Sequence, residues 1–585
     1  MPEAGNLVAG QVTINSDGQV MTIDQSTQNA IIDWQSFSVG ADGVVNIQQL
    51  GVDSALLNRV SGADPSSLLG QISANGQVFL INPNGIVIGE NATIDTASFI
   101  ASVLDVADAD FLDGGALSFS GESGAGIVNL GTIKAANGDV VLIATTVANS
   151  GSLSADNGSV TLAAGSEVVL SDEGNQRVIV RRDAGDFVAD TAINNDGLIE
   201  AAEVAMLAAG GDVYDLAINQ SGVVRATGVT NKNGRILLTA DAGDIQVSGD
   251  MSAHNSDASG GEILVGGGQH GADDSMANAA NITVTEEALL DVSSSVGDAG
   301  SVALWADERT EFAGTVQATA SNGDGGFVEV SAADRLNFTG LVKLASEFGD
   351  NGTLLLDPDA LTVQARNPGD NVLLVSTLEA QLEQGNVVLD TSTVNYSADS
   401  ENGVIRVSDS VSWSSGNSLT LNAGNSIYID ADLNGTGADI DLELGYVEEF
   451  SFYDEQSAEL VVDSAATLTA GTLTIGRNDS AALIGSNSID GPVGAINIVG
   501  QLDVDTLDLQ LPVASRSFNN LGVAGDVVIN NANNRIGVFS SGGDDIRIGG
   551  TLELVNGSGS LDVDGSFTAN NGMLLVTEDD LTLQA

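Results

Sequence analysis

The stretch Gln71-Ile-Ser-Ala-Asn-Gly-Gln-Val-Phe-Leu-Ile-Asn-Pro-Asn-Gly-Ile-Val-Ile-Gly89 sets two apolar runs on either side of one strongly specified turn. In Asn82-Pro83-Asn84-Gly85, Pro83 fixes its own φ and pushes Asn82 toward extended geometry, Asn84 tolerates a left-handed conformation, and Gly85 takes positive φ freely. The segment reads as strand, tight corner, strand. Val78 and Leu80 before the corner, and Ile86 and Ile88 after it, alternate at the period of a strand with one buried face. The corner therefore turns the chain around an apolar interior.

The same grammar recurs. Glycine followed by apolar residues at alternate positions appears at Gly138-Asp-Val-Val-Leu142, Gly158-Ser-Val-Thr-Leu162, Gly234-Arg-Ile-Leu-Leu238 and Gly261-Glu-Ile-Leu-Val265, and again at Gly525-Asp-Val-Val-Ile529. Two units of equal length, Gly300 to Gly325 and Gly326 to Asn351, match position by position, with Val302 over Val328, Phe312 over Phe338 and Val316 over Val342. At 585 residues the chain exceeds one ordinary globular core, and 71 Gly against 7 Pro, with 43% hydrophobic but only 4% aromatic residues, suits short aliphatic strands with glycine corners. A β-solenoid follows, three strands to a coil, because one coil buries its apolar face only against the next. The apolar content excludes disorder, and the Leu and Asn skeleton of leucine-rich repeats is missing.

The charge is lopsided. Against 17 Lys and Arg stand 80 Asp and Glu, a formal net charge of -63, which repels nucleic acid and anionic membranes and keeps a strand-rich protein soluble. There is no cysteine, hence no disulfide or thiolate metal site. No run reaches the length of a membrane span, and the N-terminus lacks the regions of a signal peptide, so Met1-Pro2-Glu3 reads as a mature start behind an added methionine.

Departures from the period mark insertions. Phe99 to Ser120, carrying Asp105-Val-Ala-Asp-Ala-Asp110, is expected to leave the solenoid as a hairpin or flap, and Gly445 to Glu459, with four aromatics among acids, is a second candidate. One short helix is predicted near 376–385: Ser376 and Glu379 have capping-box spacing, Leu378 and Leu382 share a face, and Gly385 stands where the C-terminus would close. Asn367-Pro368-Gly369 suggests a boundary before it. The pattern resumes at Asn417 and runs to Ala585 without a terminal cap, which suggests the N-terminal part of a longer protein.

Three motifs carry a resemblance. Ile31-Ile-Asp-Trp-Gln-Ser-Phe-Ser-Val-Gly40, Leu57-Asn-Arg-Val-Ser-Gly62 and Gly76-Gln-Val-Phe-Leu-Ile-Asn-Pro-Asn-Gly-Ile86, in that order, resemble the secretion domain of two-partner secretion exoproteins, the filamentous-haemagglutinin family. The likeness implies an all-β, right-handed parallel β-helix with a few extra-helical hairpins. The domains it suggests are a secretion domain over 1–250, β-helix coils over 251–365 and a further β-helix region over 366–585. It implies secretion to the surface of a Gram-negative bacterium through a cognate outer-membrane β-barrel transporter, whose periplasmic domains recognise the N-terminal region. Asn58, Asn82, Pro83, Asn84 and Gly85 stand at its secretion-motif positions, where buried asparagines could equally serve the corner backbone. The output it implies is adhesion to a host, bacterial or abiotic surface, with a glycan among the candidate targets; a contact-dependent toxin-delivery stalk is the alternative.

An enzyme is the rival from another class, because parallel β-helices also carry polysaccharide lyases and hydrolases. With 80 acids, close carboxylate pairs arise by chance. His254 and His270 lie in polar, Gly-rich contexts without a third ligand in view, and Arg181-Arg182, the basic doublet, suits neutralisation of neighbouring acids better than capture of an anionic glycan. Gly542-Gly-Asp-Asp-Ile-Arg-Ile-Gly-Gly550 superficially resembles calcium-binding nonapeptides but is not repeated in tandem. The expectation is a non-enzymatic exoprotein with no cofactor, calcium being open.

Overall fold

A computed structural model describes residues 1–171, 178–181, 189–209, 214–228, 234–273, 275–392, 403–444 and 460–477, and from there individual strands between 493 and 584. The described residues are all-β apart from short helices. Strands Ser66–Leu68, Gln71–Ala74 and Gln77–Ile81 make one coil, and Ile86–Ile88, Thr93–Thr96 and Ser98–Ser102 make the next. They pair in parallel, Ile86 on Ser66, Thr93 on Gln71 and Phe99 on Val78. This is a parallel β-helix of three-strand coils, as the corner and the glycine period predict. The N-terminus departs from it: Asn6–Ala9 and Val12–Asp17 pair antiparallel with Asn29–Trp34 and Val20–Gln25, which caps the first coil.

Two compact units divide the chain: residues 1–307 with 311–326 and 346–349, and residues 308–310 and 327–345 with 350–585. In the first, equivalent positions stack into ladders. Leu56, Val78, Phe99, Val140, Val160, Val204, Ile236 and Ile263 form one inward column, all buried. Each such side chain contributes roughly 1.5 to 3 kcal/mol of transfer free energy.

A second inward column is polar. The Nδ2 of Asn129 donates to Asn149 Oδ1 (2.8 Å), that of Asn149 to Asn195 Oδ1 (2.7 Å) and that of Asn195 to Gln220 Oε1 (2.7 Å), and Gln220 closes the run on the Gly222 carbonyl (2.9 Å). All four are fully buried. Each amide both gives and takes, so the chain of bonds satisfies groups whose isolated burial would cost a few kcal/mol apiece.

The glycine corners have a more specific cause than turn geometry. Gly197, Gly222 and Gly249 stack in consecutive coils, and a Cβ on any of them would lie 2.1–2.3 Å from the carbonyl oxygen of the preceding glycine in the column. Gly261, Gly300 and Gly326 repeat the arrangement in another column, at 1.9–2.2 Å. Close approach of coil on coil, rather than positive φ, requires glycine at these positions.

Outward positions are unusually apolar. Leu57, Phe79, Ile100, Val141, Thr161, Ala205, Leu237, Leu264 and Ala303 form one outward column. The insertions cover it. Helix α1 (Asp108–Asp113) sets Phe111 edge-on against Phe79 with ring centroids 5.2 Å apart, and Met276 with Val178 and Val180 packs on Leu237 and Leu264. The expected departure between 99 and 120 is there, starting later than predicted: Ser98–Ser102 stays in the coil, and Asp105–Val106 begins a four-stranded extra-helical sheet, three of whose pairings are antiparallel, with Leu117–Ser120, Glu167–Leu170 and Val178–Arg181. The second candidate insertion, 445–459, lies outside the described residues.

In the second unit Thr353–Asp357, Asn386–Asp390, Leu419–Ala423 and Ile440–Leu444 stack in parallel, beside a separate sheet through Leu361–Gln364, Ile405–Val407, Ile427–Ile429 and Leu460–Val462. The predicted helix is α2, Val375–Leu382, which buries Leu378 and Leu382. Its capping box does not form. The cap falls two residues before Ser376 because strand Val372–Leu374 runs straight into the helix, leaving Leu374 as a cap without a side-chain bond. Glu379 instead accepts from Ser412 N (2.8 Å), tying the helix to a neighbouring coil.

Asp359 offers a pH test within this unit. Burial, then the nearby Asp334, raise its pKa above the ordinary carboxylate value. A raised folded pKa means that its contribution is most favourable below the unfolded value and is lost as pH rises through the folded one. Asp359→Asn is therefore expected to raise the melting temperature at pH 7, with the gain shrinking toward zero as the pH falls below about 4.

Candidate functional site

The corner found in the sequence is a bonded knot. Asn82 uses its whole amide: Nδ2 donates to Asp64 O and Ser66 Oγ (both 3.0 Å), and Oδ1 accepts from Asn84 N (2.9 Å) and Asn84 Nδ2 (3.1 Å). The second Asn84 Nδ2 bond goes to Gly62 O (2.9 Å). Gly85 N donates to Asn82 O (3.1 Å), closing the turn, and Gly85 adopts φ 106°, the positive value that its neighbours demand. The loop also reaches the following coil, where Ser123 Oγ donates to Pro83 O (2.6 Å). Asn82 is fully buried; Pro83 and Asn84 are exposed.

Asn58 stands elsewhere, on Ala55–Val60, opposite Leu80 and inside the coil. Its Oδ1 accepts from Trp34 Nε1 (3.0 Å), and its Nδ2 donates to Phe79 O (3.2 Å). Trp34 is buried in turn, edge-on to Phe37 at 5.6 Å, with Gly5 against its ring where a Cβ would come within 2.7 Å. The N-terminal cap thus rests on the tryptophan that Asn58 orients. Asn58 and Asn82 share no hydrogen-bond partner. The five motif residues make two structural centres, a corner and a cap anchor.

Arg59, within the quoted motif but not singled out from sequence, joins the second centre to the insertion. It pairs with Asp33 (3.4 Å), Asp105 (2.8 Å) and Asp108 (2.8 Å) and donates to Val106 O (2.9 Å). Burial opposes its charge, but the hydrogen bonds and attraction from Asp105 and Asp108 outweigh that, and its pKa is raised. One of only 17 basic residues beside an apolar strand was the available signal. Arg59→Ala is expected to cost about 2 kcal/mol, the worth of charge-assisted bonds, and to make the 105–120 segment cleavable by protease before the coils melt.

A family profile described as the TPS secretion domain matches residues 3–253. The N-terminal part of this chain is a two-partner secretion domain. The "Heme/hemopexin-binding protein" of Haemophilus influenzae strain Rd is 33% identical over 268 residues, 42% of this chain and 28% of that protein. A second Haemophilus influenzae protein of that description is 38% identical over 106 residues, 18% of this chain and 11% of its own length. The chain thus spans well under half of these relatives. Among solved structures, the HMW1 secretion domain from Haemophilus influenzae has 28% identity and covers 60% of this chain and 100% of its own, with a TM-score of 0.46. The filamentous hemagglutinin secretion domain has 15% identity and covers 59% and 99%, with a TM-score of 0.30.

The remaining sequence candidates lie apart from these two centres in the contacts described. His254 is exposed, with Nδ1 3.0 Å from both Ser293 O and Ser293 Oγ, and His270 lies in the loop Gln269–Gly271. Arg181 ends a strand, and its side chain and Arg182 lie outside the described residues, as do Gly549 and Gly550 and the side chains of the 542–548 stretch. Among the described residues no group of three or more His, Asp or Glu is placed to hold a metal, and no helix is long and apolar enough to cross a membrane.

Proposed function

We propose that this two-partner-secreted exoprotein mediates attachment at the bacterial surface and is not an enzyme. The observation that supports the reading is continuation of the coil beyond residue 253: Asn255, Ser294, Ala320 and Ser346 still stack at one turn of successive coils. A wall of coils that repeats at a fixed spacing suits an extended or repetitive partner, held by many weak contacts whose avidity exceeds any one of them. Beads coated with the chain are expected to be retained saturably on cultured host cells, bacterial layers, abiotic surfaces or immobilised glycans, and uncoated beads are not. Retention nowhere, together with metal-dependent polysaccharide cleavage by the same preparation, overturns the proposal. Heme and hemopexin belong in the panel because two relatives are named for them. Killing of neighbouring cells by the full secreted protein would favour the toxin-delivery alternative.

For export, the proposal divides the motif residues by exposure. Pro83 and Asn84 present a face that periplasmic transporter domains can contact on the folded corner, whereas Asn58 and Asn82, both buried, act through formation of the cap and the coil.

A further inference from the structure

The described residues of the loop between Val265 and Ala279 rise over the outward column and leave an open groove of about 640 Å³ against the strand wall. Its floor is apolar, with Leu264 and Met276 in one buried cluster. Its rim is charged. Arg235 Nε donates to one oxygen of Glu262 (2.8 Å), and Arg235 Nη2 lies 3.9 Å from the Met276 sulfur. Asp273 holds one oxygen on the Ser275 hydroxyl and backbone N–H. These bonds lower the Asp273 pKa, the Ser275 hydroxyl being the largest cause, and keep the carboxylate ionised at neutral pH.

We propose that this groove binds a primary ammonium on an aliphatic stem, the lysine side chain of a partner polypeptide. The charges decide the sign: among the described residues one guanidinium against two carboxylates leaves the rim net negative, within a protein of formal charge -63, so an anionic ligand is opposed both locally and at long range. The floor decides the shape. A four-carbon stem lies along Leu264 and Met276 and loses apolar contact with water, while its ammonium, a compact three-proton donor, reaches the oxygens of Glu262 and Asp273 not held by Arg235 and Ser275. A bare inorganic cation would leave the apolar floor unused. The inference goes beyond attachment and stands independently of it: it concerns 235–276, whichever surface the coils engage.

The test uses the full 585-residue chain and a fluorescent glycine-serine peptide with one internal lysine, followed by polarisation at 0.15 M salt, where long-range attraction is screened. Saturable binding is expected, weakened at least tenfold by Asp273→Asn with Glu262→Gln and by replacing the peptide's lysine with norleucine. Asp42→Asn with Glu122→Gln removes the same two charges from exposed sites elsewhere and is expected to leave binding unchanged. Asp273→Asn alone, in an exposed loop, keeps the test valid if loss of the Arg235 partner disturbs folding. Equal weakening by both double variants assigns the binding to general charge and overturns the site, as does absence of saturable binding. Putrescine that binds as tightly as the lysine peptide and competes with it overturns the polypeptide as the source while keeping the ammonium chemistry.

Discussion

Asn149→Asp is expected to destabilise the coils between residues 129 and 220 by about 3–5 kcal/mol at pH 7, the scale of an uncompensated buried charge. Asn149 is fully buried and sits mid-ladder, accepting from Asn129 and donating to Asn195 Oδ1 at 2.7 Å. A carboxylate keeps the first bond but turns an oxygen toward the Asn195 oxygen. The new group escapes by protonation, so its folded pKa rises. A raised folded pKa makes the penalty smallest below the unfolded value near about 4 and largest above the folded one, so the loss must grow with pH. Asn149→Leu, of similar volume, is expected to cost about 1–3 kcal/mol for each partner it strands, without pH dependence. Because stacked coils need not unfold together, amide hydrogen exchange of the flanking strands is the readout. A loss below about 1 kcal/mol, unchanged between pH 4 and 8, would show that the ladder contributes nothing to register.

Asn82→Ala and Asn84→Ala are expected to separate folding from export. Asn82 makes four side-chain bonds inside the corner, so its loss should cost about 3 kcal/mol and reduce export together with the melting temperature. Asn84 is exposed, and its backbone bond to Asn82 survives truncation, so Asn84→Ala should cost about 1 kcal/mol or less. If the exposed corner is what the transporter contacts, that variant loses export at nearly unchanged stability. Secretion assayed in cells carrying the cognate transporter, with melting curves on the same variants, reads both. Normal export of Asn84→Ala removes the corner face from recognition; normal export of Asn82→Ala despite a lowered melting temperature breaks the link between coil stability and export.

Much of this architecture is written in local pattern. Alternation at Val78, Leu80, Ile86 and Ile88, with a turn that only a few residue types accept, specifies both the coil and its corner. The polar ladder was not legible, because Asn129, Asn149 and Asn195 end strands, where asparagine ordinarily signals a turn, and the segment between 165 and 190 interrupts their spacing. Helix α1 was hidden for another reason: six residues with three aspartates have poor intrinsic helicity, and what holds them is tertiary, Phe111 on Phe79 and Arg59 on Asp108. The capping box at Ser376 misled because spacing alone cannot say whether the preceding strand already supplies a helical entry. At the motif, sequence pointed to five residues and to asparagines that bond the corner backbone, but not to the division that sets Asn58 on Trp34 and leaves Asn82 and Asn84 at the corner.

The glycine columns carry a consequence for how such a chain changes over generations. Where a carbonyl oxygen sits 2.1–2.3 Å from the place of a missing Cβ, every substitution is penalised alike, so these positions record no adaptation. Outward positions a few residues away meet no such limit. Divergence among relatives is therefore expected to accumulate on the outward faces while the columns stay constant, which lets a lineage rewrite what its surface touches without altering the pitch at which its coils are laid.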